Sequence, residues 1–99
     1  MRFEWDERKS RQNCRKHGVS FELAQEIFLD PFCFTIADRA LDSEQRFWAV
    51  GRVENLAILV VVHTLRDEHE EEIIRIISAR KATPRERRFY EEQEDIDSE

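Results

Sequence analysis

The 99-residue sequence contains two glycines in all. That excludes a glycine-rich phosphate loop, which needs several such residues for its backbone N–H groups to cradle an anion. It contains two cysteines, Cys14 and Cys33, without metal or redox spacing. They read as reduced thiols of a cytosolic protein. No apolar run approaches the roughly 20 residues that a membrane helix needs. The longest, Leu56 to Val62, is strand-length. The opening MRFEWDERK lacks an apolar core and does not read as a secretory signal. No set of His, Cys and carboxylate residues has metal-ligand spacing. The expectation is a cytoplasmic protein with no metal, no cofactor and no membrane partner.

What the sequence has in quantity is charge. Charged residues make up 38% and hydrophobic residues 40%, which suits one domain with a modest core and a very polar surface. The formal net charge of -6 is local in origin. Six acids and no base follow Tyr90 in EEQEDIDSE, so 22 acids become 16 against 16 bases over residues 1–90. Five more acids lie between Asp67 and Glu72. By contrast RIISARKATPRERRFY, residues 75–90, holds six bases against one acid, Glu86. Charge segregated in this way is a clue to partners. Residues 1–90 read as a single domain, and residues 91–99 as an acidic tail that frays from its last helix.

Local signals predict β-α-α-β-β-β-β-α. RFEW alternates as a short strand. Asp6 caps a helix that ends at His17 and Gly18, and Ser20 caps a second helix, SFELAQEIFLD, stopped by Pro31. FCFTIA, RFWAVGRV and LAILVVVHTLR read as strands, the last two joined tightly at Glu54-Asn55, with RALDSEQ a polar loop before them. The acidic knot turns the chain into IIRIISAR. Thr83, Pro84 and Glu86 form a capping box for the last helix. Short connections imply an antiparallel meander. Helices at both chain ends would cover one face in an α+β fold, leaving the other face open.

The basic residues fall into groups. Arg80 and Lys81 sit between the last strand and the N-terminus of the last helix, where unpaired N–H groups favour anions, and they are read as phosphate-binding. Arg85, Arg87 and Arg88 read as a solvated helix face, with a phosphate contact as the alternative. Arg46, Trp48, Val50 and Arg52 share one strand face by alternation, and Thr64 and Arg66 share another. Ser78 and Arg80 share parity, while Arg75 points the opposite way unless a bulge intervenes. Salt bridges to Glu44, Asp67 or the acidic knot would account for these arginines. So would an electropositive patch on an open sheet face. His63 lies on the face of Leu59 and Val61 and is a candidate acid or base. His17 at a helix end reads as structural, and His69 among acids as exposed.

Together FEWDERKSRQNCRKHGVSFELAQEIF, RFWAVGR and RIISARKATPRERRFYE resemble the BrnT family, ribonuclease toxins of type II toxin–antitoxin systems. The resemblance spans nearly all of residues 2–91. The run RDEHEEEIIRI departs from it, since family members often have a shorter turn there. The resemblance implies a RelE-like ribonuclease fold, RNA cleavage that stops translation, and a BrnA-like antitoxin whose complex binds operator DNA. It carries Arg46, Arg66, Arg75, Ser78, Arg80 and Lys81 over as site positions. The chemistry would use the RNA's own 2′-hydroxyl as nucleophile, with Arg66, Arg75, Arg80 and Lys81 clamping the phosphate and Ser78 orienting it. His63 or a carboxylate would carry the proton, and Arg46, Arg52 and Arg85 would bind RNA beside them. The alternative is an inactive RNA- or protein-binding module using the same basic patch.

Overall fold

The computed structural model describes residues 1–38, 44–54 and 57–97. In chain order the elements are β1 (Arg2–Glu4), α1 (Glu7–His17), α2 (Phe21–Ala24), a 3₁₀ segment (Gln25–Leu29), β2 (Phe34–Ala37), β3 (Phe47–Val53), β4 (Ala57–Glu68), β5 (Glu71–Lys81) and α3 (Pro84–Asp97). Local chemistry sets most of these bounds. The Asp6 carboxylate accepts from the N–H groups of Arg8 and Lys9, and Gly18 closes α1 with a φ of 74°. Only a residue without Cβ takes that conformation at no steric cost. Ser20 caps α2, but the helix tightens into the 3₁₀ segment after one turn rather than continuing as the single helix that SFELAQEIFLD suggests. Asn55 of the predicted Glu54-Asn55 connection and most of the RALDSEQ loop lie outside the described residues.

The five strands form one sheet in the order β1-β5-β4-β3-β2. β2 to β5 are the expected antiparallel meander. β1 is not part of it: it pairs parallel to β5, with Glu4 opposite Arg75, so the sheet is mixed. The first part of the central strand, Ile58–Val61 of β4, is apolar and buried on both faces, the signature of a sheet covered on two sides there. The helices accordingly divide, and the expectation that they share one face is corrected. Residues on α2, the 3₁₀ segment and the chain around them, including Val19, Phe21, Ala24 and Ile27, pack on Ala49, Leu59, Val61, Ile74, Ile76 and Ala79. α3 places Tyr90 on the opposite face against Val50, Ile58 and Val60. Rather than fraying at residue 91, α3 runs on through Asp97.

Two polar clamps and one close approach tie the layers. Asp30 accepts from the Arg52 N–H at 2.7 Å and from the Tyr90 hydroxyl, joining the end of the 3₁₀ segment to β3 and α3. A Cβ at Gly51 would lie 2.9 Å from Ile27 Cβ, so the 3₁₀ segment can sit on β3 only where the strand has no side chain. Asn13 of α1 is buried and acts as a substitute strand. Its Nδ2 donates to the carbonyls of Val19 and Ala79, each at 2.7 Å, and its Oδ1 accepts from the Ala79 N–H at 3.2 Å. β1 covers only Ile73–Arg75 of β5. The amide thus supplies backbone-like pairing further along the same strand.

Asn13→Ala leaves three buried backbone groups without partners and should lower stability by about 2–4 kcal/mol. Urea unfolding should show a lower midpoint at unchanged slope. Asn13→Asp should lose at least as much, because it sets a carboxylate against two carbonyls.

Candidate functional site

The site begins with a bulge. β4 pairs with β5 in register from Glu68↔Glu71 to His63↔Ile76, but Val62 then faces Ser78. Ile77 is the extra residue. It reverses the alternation of β5, so Arg75 lies on the same face as Ser78 and Arg80 instead of opposing them. The same face carries Val62, Thr64 and Arg66 of β4, each exposed or half-buried. α3 packs at the other end of these strands, on Val50, Ile58 and Val60. Arg66, Arg75, Ser78 and Arg80 therefore share one face of the sheet, with Arg66, Arg75 and Ser78 beyond the part that α3 covers and Arg80 at the edge of α3, opposite Val60.

Glu4 of β1 joins them, a residue that the sequence reading did not single out. One of its oxygens accepts from Arg66 Nη2 at 2.9 Å, and the other accepts from Arg66 Nη1 and from Arg75 Nη1 at 3.2 Å. The Arg66 pair is bidentate, the geometry in which a guanidinium grips a carboxylate best. Arg66 also donates to Glu68 at 3.2 Å. The hydrogen bond from Arg66 is the main reason that the Glu4 carboxyl is held at about 2, with Arg75 adding to it, and Arg66 is in turn raised by Glu4. Among the described residues Arg75 has no other charged partner, so most of its five N–H donors stay available.

Arg80 stands at the junction with α3. Its guanidinium donates to both oxygens of Glu86, at 2.7 and 3.0 Å, and lies 5.7 Å from the centre of the Trp48 ring. Glu86 also accepts from the Thr83 N–H at 2.8 Å while Thr83 Oγ1 accepts from the Glu86 N–H, which completes the capping box. Arg80 is the chief cause that holds the Glu86 carboxyl at about 2. One carboxylate thus starts the helix and fixes the cation at the strand end.

The other candidates lie elsewhere. His63 is on the opposite face, 2% exposed, with its ring 5.2 Å from that of Phe28 and 5.7 Å from that of Phe47. Burial lowers its pKa and keeps it neutral. This does not put it within reach of an RNA held by the arginines. Arg52 pairs with Glu94 at 2.8 Å and lies 5.5 Å from the Tyr90 ring centre, so it fastens α3 to the sheet. Lys81 is exposed in a depression of about 410 Å³ with Arg52 and Arg87. Arg46 is exposed just before β3. Arg85 is exposed on α3, beside a groove of about 440 Å³ lined by Phe34, Ile36, Trp48 and Phe89. Among the described residues no group of three or more His, Cys, Asp or Glu is arranged to hold a metal ion.

Residues 5–86 match the family described as ribonuclease toxin, BrnT, of type II toxin–antitoxin systems. The chain belongs to this family. The crystal structure of the Brucella abortus ribonuclease toxin BrnT is similar to it, at 30% sequence identity and a TM-score of 0.59, over 84% of this chain and 97% of that one. None of the curated protein sequences compared with it matches. Membership of the family makes this chain a ribonuclease toxin, with RNA as the substrate and an antitoxin as the partner. The β5 stretch from Arg75 to Lys81 lies within the matched residues, and so does the Glu86 carboxylate that holds Arg80.

Glu4 and Glu86 sit below their usual value of 4.5, at about 2. Each therefore stabilises the fold above pH 4.5, and the contribution is lost as the pH falls towards 2. His63, kept neutral, adds a loss that begins as the pH drops below its usual 6.5. Glu86→Gln should cost about 1 kcal/mol at neutral pH, mostly from the cap. It should also make the fall in unfolding free energy between pH 4.5 and 2 visibly shallower. Denaturant titrations at a series of pH values check both.

Proposed function

We propose that this chain is an endoribonuclease that cuts RNA on the uncovered stretch of the β4–β5 face, by attack of the RNA's own 2′-hydroxyl and without a metal ion. The observation that carries this reading is the convergence of Arg66, Arg75, Ser78 and Arg80 on one face through the Ile77 bulge. Guanidinium groups match the geometry of a phosphodiester and stay charged at any working pH. Several of them around one phosphate stabilise the extra negative charge of a pentacovalent transition state, and a preorganised array needs no reorientation during reaction. Arg75 is the member with most donors to spare. Arg66 would share its fork between Glu4 and the phosphate, and Ser78 would orient a non-bridging oxygen. Arg80, held by Glu86 and Trp48, would contact a neighbouring phosphate, with Lys81, Arg46 and Arg85 extending the track.

Cleavage would leave a 2′,3′-cyclic phosphate and a 5′-hydroxyl. In the cell the consequence would be arrest of translation in the cytoplasm. A BrnA-like antitoxin would relieve it, and the complex would bind operator DNA through that antitoxin. The mixed sheet with helices on both faces is consistent with a RelE-like ribonuclease fold.

Arg66→Ala and Arg75→Ala should each lower kcat/KM on a short single-stranded RNA by about 10²–10³-fold, the usual loss when one charge-stabilising donor is removed. Arg88→Ala, an exposed cation of α3 outside this track, should stay within about threefold. Cleavage should persist in excess chelator and stop when the scissile nucleotide carries a 2′-deoxyribose. RNA binding without cleavage, unaffected by either arginine variant, would identify an inactive binding module instead.

A further inference from the structure

The proposed reaction requires a group that takes the 2′-hydroxyl proton, and the buried histidine on the far face cannot supply it. We infer that Glu4 is the catalytic base, an inference that rests on the ribonuclease reading above. Three observations point to it. Glu4 is the carboxylate in contact with both Arg66 and Arg75, the two cations where a scissile phosphate would be held. A base that acts on the 2′-hydroxyl must stand within hydrogen-bond reach of the sugar next to that phosphate. A carboxylate already bonded to the phosphate-binding guanidiniums is placed within that distance.

Among the described residues, the other carboxylates that contact these arginines or lie beside them are otherwise committed or placed. Glu86 is engaged by Arg80 and by the Thr83 N–H at the start of α3. Glu68 contacts Arg66 alone, from the exposed end of the hairpin, two residues along the same strand. Glu71 pairs with Arg2 at 3.8 Å, at the same outer end.

The third observation is the backbone setting of Glu4. It is the last residue of β1, hydrogen-bonded in register beside Arg75, and Asp6 two residues later caps α1. The carboxylate is carried by rigid elements on both sides, which is how a proton acceptor is kept at a fixed distance. Its ion pairs explain how it could be idle without RNA and active with it. Arg66 and Arg75 stabilise the ionised carboxylate. A phosphodiester arriving at the same guanidiniums competes for their N–H donors. As those donors turn to the phosphate, the carboxylate loses the partners that suppress its basicity, and it does so beside the incoming 2′-hydroxyl. Substrate binding would therefore generate the base.

The step balances without a further reagent. The carboxylate accepts the 2′-hydroxyl proton, the O2′–P bond forms, and the P–O5′ bond breaks. The departing 5′-oxygen takes a proton from solvent water. Glu4 then returns its proton to solvent, leaving the cyclic phosphate and the 5′-hydroxyl product.

The test uses single-turnover cleavage of a labelled single-stranded RNA by the full chain, with binding measured on the same RNA carrying 2′-deoxyribose at the scissile position. Glu4→Gln and Glu4→Ala should lower the cleavage rate by about 10²–10⁴-fold, the range for loss of a general base. RNA affinity should be unchanged or tighter, because a competing anion has gone. Added formate should restore the rate of Glu4→Ala at least about tenfold and leave Glu4→Gln and Arg66→Ala unaffected, since only the alanine variant has both space and an intact clamp. Circular dichroism of each variant confirms that it folds. Cleavage by Glu4→Gln within about fivefold of the parent would overturn the assignment, because the loss expected of a base is far larger. So would a rate that falls in step with RNA affinity and does not respond to formate, which would make Glu4 a residue that positions the arginines. Absence of cleavage by the parent chain itself would overturn the ribonuclease reading, a distinguishable result.

Discussion

One extra residue in β5 decides what this sheet can present. With Ile77 inserted opposite the Val62–His63 step, Ile74, Ile76 and Ala79 all face the helical layer although their spacing breaks strict alternation. Their neighbours Arg75, Ser78 and Arg80 all face the other way. In a strand without the bulge, one part of this set would have to point into the core. A guanidinium turned inward among Ile74 and Ile76 would need several kcal/mol of compensation. The bulge removes that conflict and gathers the cations in the same act, which is what bulges commonly do beside sites.

Gathering cations on one face creates a second demand, because like charges held together oppose folding. The fold meets it from both ends of the chain. β1 brings Glu4 to Arg66 and Arg75, and α3 brings Glu86 to Arg80. These contacts also serve to dock the two terminal elements. β1 is three residues long, and Phe3, packed against Phe28 and the core, holds it to the sheet edge together with its backbone pairing and these ion pairs. Asn13 supports the same strand from below, at the residue between Ser78 and Arg80. The groups that shape the candidate site are thus the groups that close the fold. Substitutions at them must be read through binding or rescue as well as activity, since stability will move too.

Local features were legible and long-range ones were not. Asp6, Gly18, Ser20, Thr83 and Glu86 act at the helix ends where the sequence places them, because capping depends on neighbours within four residues. Alternation put His63 on the face of Leu59 and Val61, and there it is. What alternation could not show is that this face is sealed by Phe28 and Phe47, which turns a titratable ring into a core residue. The unbroken apolar run of β4 carried a message that a one-sided meander could not accommodate: a strand apolar on both faces needs cover on both. Glu4 was out of reach of sequence reasoning. Its role depends on β1 lying parallel to β5, a pairing between residues 71 apart along the chain.

The distribution of acid now has a physical meaning beyond the net charge of -6. Because Arg66 and Arg80 each hold a carboxylate, and Arg75 shares one, the face is close to neutral when seen from more than about a Debye length, roughly 8–10 Å at ordinary salt. Long-range attraction for any polyanion is correspondingly weak. At contact the balance changes, since a phosphodiester can engage donors that the carboxylates leave unused and can displace those they hold. Such a surface discriminates at short range, by how well a backbone fits the spacing of its guanidiniums, more than by bulk charge. It also lends itself to control by a protein partner, because a few well-placed carboxylates from outside could occupy the donors that RNA needs, in the manner that Glu4 and Glu86 already do from within.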